Sequence, residues 1–452
     1  MKSALSLEKL LDDCEHYWSA SAAKMYRISK TSVEATCDGV YVTDHTGKRF
    51  LDCACSYGVF ITGHRNPAVK RAVQDQLSVL AMVPQAHSHT LREQLSQRLI
   101  ALAPGKWGKV SYAVSGAEAI EQTMRYVLKV KNDRTGIVVM ANSYHGKTLA
   151  AMPILGQQQH HKAYGSSSHE VTYVPYGDIT ALERALGEGV CAVYVEPILG
   201  GAHLEVPPLG YLSNIRALCD ATGTLMVVDE IQTAFGRCGK WFAIEYDGIV
   251  PDIMVLSKGL TGGYTSFACA MYSEALTRAC STAELAEENT MPTGGHPAAC
   301  ASALATIDYI QDNDLISKSQ RNAGLLRQGL IKISAQYPKI VEDVPGVGMM
   351  TGLRLRGSVY EALMCLELSK RGVHAGHSMN EKATNPVLRF YPPLIIERAQ
   401  IHEILKAVAS SLEAISQRSD IGISLFAFVV RNMYRIPNRL LRSNVGDAHA
   451  ES

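Results

Sequence analysis

Three side chains stand where an α/β sheet would offer them to a ligand. Lys258 follows the apolar run Met254-Val255-Leu256-Ser257 and precedes Gly259-Leu260-Thr261-Gly262-Gly263. A lysine leaving a buried strand into a glycine-rich loop is partly desolvated, which suits an amine that must form an imine. Taken alone, such a lysine is ordinarily a solvated surface charge, so its weight comes from its partners. Asp229 closes the apolar run Leu225-Met226-Val227-Val228, which places its carboxylate at the C-terminal sheet edge where open α/β folds bind ligands. A carboxylate beside a ring nitrogen keeps that nitrogen protonated, and the ring then acts as an electron sink. Gln232, three residues on, supplies a donor for a ring oxygen, and Tyr144 a flat face for stacking.

An anion site is also legible. Val114-Ser115-Gly116-Ala117-Glu118-Ala119 joins a strand to a helix N-terminus, where free N–H groups and the helix dipole face an anion. Many α/β turns contain Ser-Gly, so this signal is weak alone, and it lacks the GxGxxG spacing of a dinucleotide fold. A rival reading starts from the strand Gly136–Met140, whose continuation ends in Gly146-Lys147-Thr148 and resembles a P-loop. Leu225–Glu230 would then be the strand and acidic pair of an NTPase. But Ala141 stands where that loop needs glycine, and bulky Tyr144 and His145 fill what should be bare amide. The lysine, carboxylate, amide, flat ring and anion turn are instead the set that pyridoxal phosphate needs.

The elements that must position these residues alternate between short apolar runs and helical stretches from about Asn66 to Ile310, the signature of βαβ units and a parallel sheet. Strands are expected at Lys109–Val114, Gly136–Met140, Val171–Val174, Cys191–Val195, Thr224–Val228 and Ile253–Leu256, several of them apolar throughout as doubly buried strands must be. Helices are expected at Glu118–Lys131, Tyr211–Ala221 and Pro297–Asn313. An α+β pattern follows: helix Asp314–Ala335, strand Val347–Leu355, helix Ser358–Arg371, strand Val387–Tyr391 and helix Ile401–Gln417. Residues 39–44 and 47–52 read as a hairpin. The fold class is therefore α/β: a large domain over 61–313, and a small α+β domain assembled from 1–60 and 314–417. Residues 418–452 form a tail, apolar over Ile421–Val430 and then studded with Arg431, Arg435, Arg439 and Arg442. An added helix packed on the surface or on a partner subunit is the first reading of this tail; docking to a membrane surface or carrier protein is the second.

Composition narrows the function. Forty-four basic and 43 acidic residues in 452 leave a formal charge of +1, which gives no electrostatic footprint for nucleic acid. The eleven cysteines include one close pair, Cys53 and Cys55, whose spacing does not make a zinc site; no metal is expected. Reduced thiols, the absence of a signal-peptide h-region and of any run near the ~18 apolar residues of a membrane span point to the cytoplasm.

The chain is similar to the class III, ornithine aminotransferase-like, pyridoxal-phosphate aminotransferases over roughly residues 36–415. The resemblance rests on Gly47–Asp52, Gly63-His64, Ser115–Ala119, Tyr144–Gly146, Glu196–Ile198, Asp229–Arg237, Leu256–Leu260, Gly294–Pro297 and Arg389–Leu394. It implies a fold-type I homodimer with shared active sites, moving an amino group between an amino acid or amine and a 2-oxo acid or aldehyde. Ser115, Gly116 and Ala117 would bind phosphate, Tyr144 would stack on the ring, and His145 and Glu196 would belong to the same cofactor site. Asp229 would pair with the ring nitrogen, Gln232 with the ring oxygen, and Lys258 would carry the cofactor and later shuttle the proton. Arg389 matches the arginine that grips a substrate carboxylate.

The departures concern the substrate. Ornithine-type members carry a glutamate three residues after Glu-Pro-Ile that neutralises the carboxylate-binding arginine; here that place is Gly201, leaving Arg389 permanently available or switched by another group such as Glu205. Pro292 stands where a threonine usually reaches the neighbouring subunit's phosphate, and Thr293 is the substitute. Lys147 occupies the place of an α-carboxylate arginine, and Tyr57 that of a substrate-facing tyrosine. The same fold hosts aminomutases, racemases and decarboxylases, and these are the alternative chemistries. A non-catalytic binding protein on this scaffold would be expected to have lost Lys258 or Asp229.

Overall fold

The computed structural model describes residues 7–29, 34–84, 87–156, 170–280, 293–378 and 383–432. Strands β1 (Glu34–Asp38), β2 (Tyr41–Asp44) and β3 (Arg49–Cys53) come first in the chain. They are followed by β4 (Trp107–Ala113), β5 (Gly136–Met140), β6 (Val171–Val174), β7 (Val190–Val195), β8 (Leu225–Asp229), β9 (Ile253–Leu256) and β10 (Ala268–Ser273). The last are β11 (Val341–Asp343), β12 (Gly346–Val347), β13 (Met350–Leu355), β14 (Val373–Ala375) and β15 (Val387–Phe390).

Strands β4 to β10 form one seven-stranded sheet in the order β4-β10-β9-β8-β7-β5-β6. Pairings from β9 through β8, β7 and β5 to β6 are parallel. Every residue of β7, β8 and β9 is buried, because helices cover both faces and leave no side for polar residues. The strand β10 was not expected. Its sequence, Ala-Cys-Ala-Met-Tyr-Ser, is short of β-branched residues, yet it lies antiparallel between β4 and β9 with Met271 opposite both Val110 and Met254. Burial from two neighbours overrides its weak intrinsic preference.

Helix Gly116–Val130 starts one strand-end away from the sheet edge for a local reason. The hydroxyl of N-cap Ser115 accepts the Glu118 N–H at 3.2 Å, and the Glu118 carboxylate reaches back to the Val114 N–H at 2.6 Å. Reciprocal capping of this kind fixes the first turn. Ala119, Ile120, Met124 and Val127 then bury one face of the helix.

Two smaller sheets join distant parts of the chain. One has the order β1-β2-β3-β14, with β14 parallel to β3; the β2–β3 hairpin pairs Tyr41 with Leu51 and Val42 with Phe50. The other runs β11-β13-β12, and β15 pairs β13. The expected strand 347–355 is divided here. Gly348 adopts φ +60°, and a Cβ there would lie 2.4 Å from the Cys238 carbonyl carbon, so the backbone turns where only glycine fits. Helix Asp420–Asn432 follows Arg398–Ser416, with Ile421, Leu425 and Phe428 exposed on it. The arginines at 435, 439 and 442 lie outside the described residues. Unanticipated helices Leu7–Asp13 and Ala20–Ser29 are tied by buried Arg27, which bonds Asp12 and Glu15 at 2.6 Å each.

Candidate active site

A cavity of about 430 Å³ opens at the C-terminal ends of the parallel strands. Its walls include Tyr57, Gly116, Ala117, Tyr144, His145, Lys147, Glu196, Asp229, Gln232, Lys258 and Arg389. Two expected residues are not among the lining groups. Ser115 uses its hydroxyl as the helix cap, and Thr293 is exposed and lines no part of this cavity; Pro292 lies outside the described residues.

Asp229 ends β8 and is 4% exposed. Its Oδ2 lies 2.8 Å from His145 Nδ1, while its Oδ1 accepts the Ile231 N–H at 3.0 Å. A carboxylate only accepts, so Nδ1 is the protonated nitrogen of that pair. Burial works against the His145 imidazolium, but the bond to Asp229 and the charges of Asp229 and Glu196 outweigh it and raise the imidazole above its ordinary range. Glu196 accepts the N–H of Tyr144 at 2.8 Å through Oε1 and of Gly200 at 3.0 Å through Oε2. Burial and the neighbouring Asp229 charge push its carboxyl up to about 7, against the pull of His145 and the two N–H donors.

Lys258 follows β9 with φ +44°, an uncommon conformation for a residue bearing a Cβ. Burial depresses its ammonium, Asp229 and Glu196 partly restore it, and Arg389 adds to the depression. The amine is thus shifted toward the neutral, nucleophilic form. Gln232 donates from Nε2 to the Tyr57 carbonyl at 3.0 Å. Tyr57 itself sits in a run of left-handed residues, Cys55, Ser56 and Tyr57, with φ of +48°, +45° and +58°. Asp52 holds that run: Oδ1 accepts the N–H groups of Ala54 and Cys55 at 3.0 and 2.8 Å, and Oδ2 lies 2.8 Å from His64 Nε2.

Arg389 is 1% exposed on β15. One of its terminal nitrogens donates to the carbonyl of Gly201 and the other to the carbonyl of His377. Its guanidinium carbon is 5.2 Å from the centroid of the Tyr57 ring. The position of the absent glutamate is therefore filled by a backbone carbonyl, which orients the guanidinium without cancelling its charge. Glu205 closes a backbone bridge with Leu199 and lines a different cavity from the one that holds Arg389. Lys147 is exposed, with Nζ 5.5 Å from the Tyr144 ring centroid.

The cavity fits pyridoxal phosphate by observations independent of these assignments. His145, on the cavity wall, has its Nε2 buried without a protein partner, which is costly unless another group supplies one. One wall excludes even a methyl group, since a Cβ on Gly146 would lie 2.5 Å from Ala117 Cβ, and behind the cavity a Cβ on Gly200 would lie 2.2 Å from Oε1 of the lining residue Gln232. Asp52 and His64 were legible only as members of resemblance motifs, with no role attached, and Gly200 and His377 were given no role in the sequence. The Asp52–His64 and His377–Arg389 contacts each span 12 residues, and Gly200 acts through the lack of a side chain; neither leaves a spacing signal.

The family model for aminotransferase class III matches residues 24–412. An ornithine aminotransferase from Toxoplasma gondii superposes with a TM-score of 0.82 at 23% identity, covering 92% of this chain and 96% of that one. A transaminase from the marine bacterium Virgibacillus gives 0.78 at 26% identity over 85% and 93%. The acetylornithine aminotransferase of Elizabethkingia anophelis gives 0.71 at 26% over 85% and 94%. Sheet, cavity and sequence match together define a fold-type I transferase, and the chain belongs to the class III aminotransferase family. It is a pyridoxal-phosphate-dependent aminotransferase, which displaces the P-loop reading of residues 141–148.

Proposed function

We propose that the cavity residues divide the work of amino transfer as follows. When bound, the cofactor supplies a carbonyl carbon for the amine and a protonated ring that accepts electron density from the substrate. Asp229, oriented by His145, would hold the ring nitrogen protonated, and Gln232 would donate to the ring oxygen. Tyr144 would cover one face of the ring. The N-terminus of helix 116–130, with Ser115, Gly116 and Ala117, would hold the phosphate. Lys258 would hold the cofactor at rest, and its Nζ would then take the proton from the amine-bearing carbon of the substrate. Arg389 would bind a substrate carboxylate in fork geometry, with Tyr57 and Lys147 along the substrate's path. The observation that carries this reading is the convergence of Lys258, Asp229, Gln232 and Tyr144 on one cavity.

The substrates are an amino acid or amine donor and a 2-oxo acid or aldehyde acceptor. We read the enzyme as a homodimer in which Thr293 serves the neighbouring site; its exposed position away from its own cavity supports this. Eleven cysteines without a disulfide support a cytoplasmic setting; no helix among the described residues is long and apolar enough to cross a membrane. A large domain over 61–313 and a small one from 1–60 and 314–417 are supported by the seven-stranded sheet lying wholly in the first and by the β3–β14 pairing across the second.

The test is the visible absorption of the purified holoenzyme during addition of ornithine, 4-aminobutyrate or glutamate. Bleaching by one donor and recovery with a 2-oxo acid is expected. Loss of enantiomeric purity in the donor without any acceptor would replace transamination by racemisation.

A further inference from the structure

The loop between β7 and helix Tyr211–Thr222 passes behind Arg389, and its carbonyls are taken one after another. Gly201 O accepts from Arg389 and Ala202 O from the Val387 N–H at 2.9 Å. His203 O accepts from Arg354 Nη1 at 3.1 Å, and Leu204 O from Arg354 Nη2 at 3.4 Å. Arg354 is itself fixed, because its Nε bonds Asp343 Oδ1 at 3.0 Å. Arg354 lies on β13 opposite Val387 of β15, two residues from Arg389, so both guanidiniums leave adjacent strands and grip the same loop. The loop in turn sets three features of the cavity: the Gly201 carbonyl on Arg389, the Gly200 backbone against Gln232, and the Gly200 N–H on Glu196.

We propose that Arg354, which lines a separate cavity and not the active one, is a positioning residue that holds Arg389 as a fixed carboxylate clamp and so makes a carboxylate a requirement of the substrate. This rests on the role proposed for Arg389. A guanidinium tied to a buried carbonyl leaves that carbonyl unpaired if it swings away, and an unmet buried acceptor is costly. With the loop sutured by Arg354, the carbonyl cannot follow, so the clamp stays in place through both half-reactions. An amine or aldehyde lacking a carboxylate leaves the positive charge of that buried guanidinium, held only by neutral carbonyls, without an anion and is discriminated against.

The experiment compares the wild-type holoenzyme with Arg354→Met, Arg354→Lys and Arg356→Met. Arg356 also donates to a carbonyl, that of Pro338 at 2.8 Å, but not to this loop, so it reports the stability cost alone. Arg354→Met is expected to raise KM for the 2-oxo acid by roughly 10–100-fold with kcat within about threefold, and to narrow the preference for carboxylate donors over a plain alkylamine by a similar factor. Arg354→Lys, which cannot span two carbonyls, should fall between; it carries the test if the Met variant does not fold. Hydrogen exchange of residues 199–205 should accelerate in both Arg354 variants and not in Arg356→Met, whatever the activity. Unchanged KM and preference in a folded Arg354 variant, or equal effects from Arg356→Met, overturn the proposal. A wild type that bleaches with no donor overturns the functional reading, and this proposal with it.

Discussion

A single methyl group at Gly200, behind the lining residue Gln232, tests the placement of that side chain more sharply than removal of a large side chain. Gly200 has no left-handed backbone to strain, so Gly200→Ala adds volume only. The new Cβ would lie 2.2 Å from Gln232 Oε1 and 3.0 Å from Glu196 Oε2. The first distance is impossible, and the Gln232 amide must retreat by about an ångström, breaking its 3.0 Å bond to the Tyr57 carbonyl. That costs about 0.5–1.5 kcal/mol of stability. The larger effect falls on the cofactor, because Gln232 can no longer donate to the ring oxygen. One hydrogen bond to a charged acceptor is worth about 1.5–3 kcal/mol, which corresponds to a rise in Kd of roughly 10–150-fold. The assay is titration of the apoenzyme with pyridoxal phosphate, followed by visible absorption, for wild type, Gly200→Ala, Gln232→Ala and the double variant. In the Gln232→Ala background the methyl meets no amide, so Gly200→Ala should cost less than about twofold. An equal cost in both backgrounds would refute the reasoning and move the effect to Glu196.

The remaining predictions concern catalysis and pH. Lys258→Ala should leave less than roughly 10⁻³ of wild-type turnover while keeping phosphate-dependent cofactor binding by fluorescence; wild-type-like turnover would remove Lys258 from its role. Asp229→Asn should fold normally, judged by circular dichroism, and lower kcat by roughly 10²–10³; a near-normal kcat would end the electron-sink assignment. Glu367 accepts from Lys370, Arg371 and Arg418. Burial alone would raise its carboxyl, but the bonds and charges of Lys370 and Arg371 pull it down from 4.5 to about 2. A folded-state pKa below the unfolded one stabilises the fold fully above pH 4.5, and this is lost as pH falls toward 2. Reduced by solvent screening at Lys370, it is worth about 1–2 kcal/mol at neutral pH. Glu367→Gln should therefore lower stability to urea at pH 7 by about that amount, with the difference shrinking below pH 4.5 and vanishing only near pH 2. A constant difference across that range would contradict the ion-pair account.

Sequence alone determined the sheet's central strands and the residues at their ends. Runs such as Leu225–Val228 and Met254–Leu256 are apolar at every position because both faces of a parallel strand are covered, so the polar residue that ends each run, Asp229 or the Ser257-Lys258 pair, is marked as a sheet-edge group. The P-loop rival could be weakened in the same terms, since Ala141 lacks the freedom of glycine. What sequence could not show was any contact made across folded distance. β10 is a strand because β4 and β9 flank it, not because Ala-Cys-Ala-Met-Tyr-Ser prefers extension. Gly201 was legible as a missing glutamate, but only the tertiary structure placed its carbonyl on Arg389 and put Glu205 at another cavity. Asp52 caps the strained 55–57 turn locally, but His64 became its partner only once the chain had brought the two within 2.8 Å. Local pattern is written by burial periodicity and can be read one segment at a time; hydrogen bonds between distant segments depend on how all the segments pack, and no single segment carries that information.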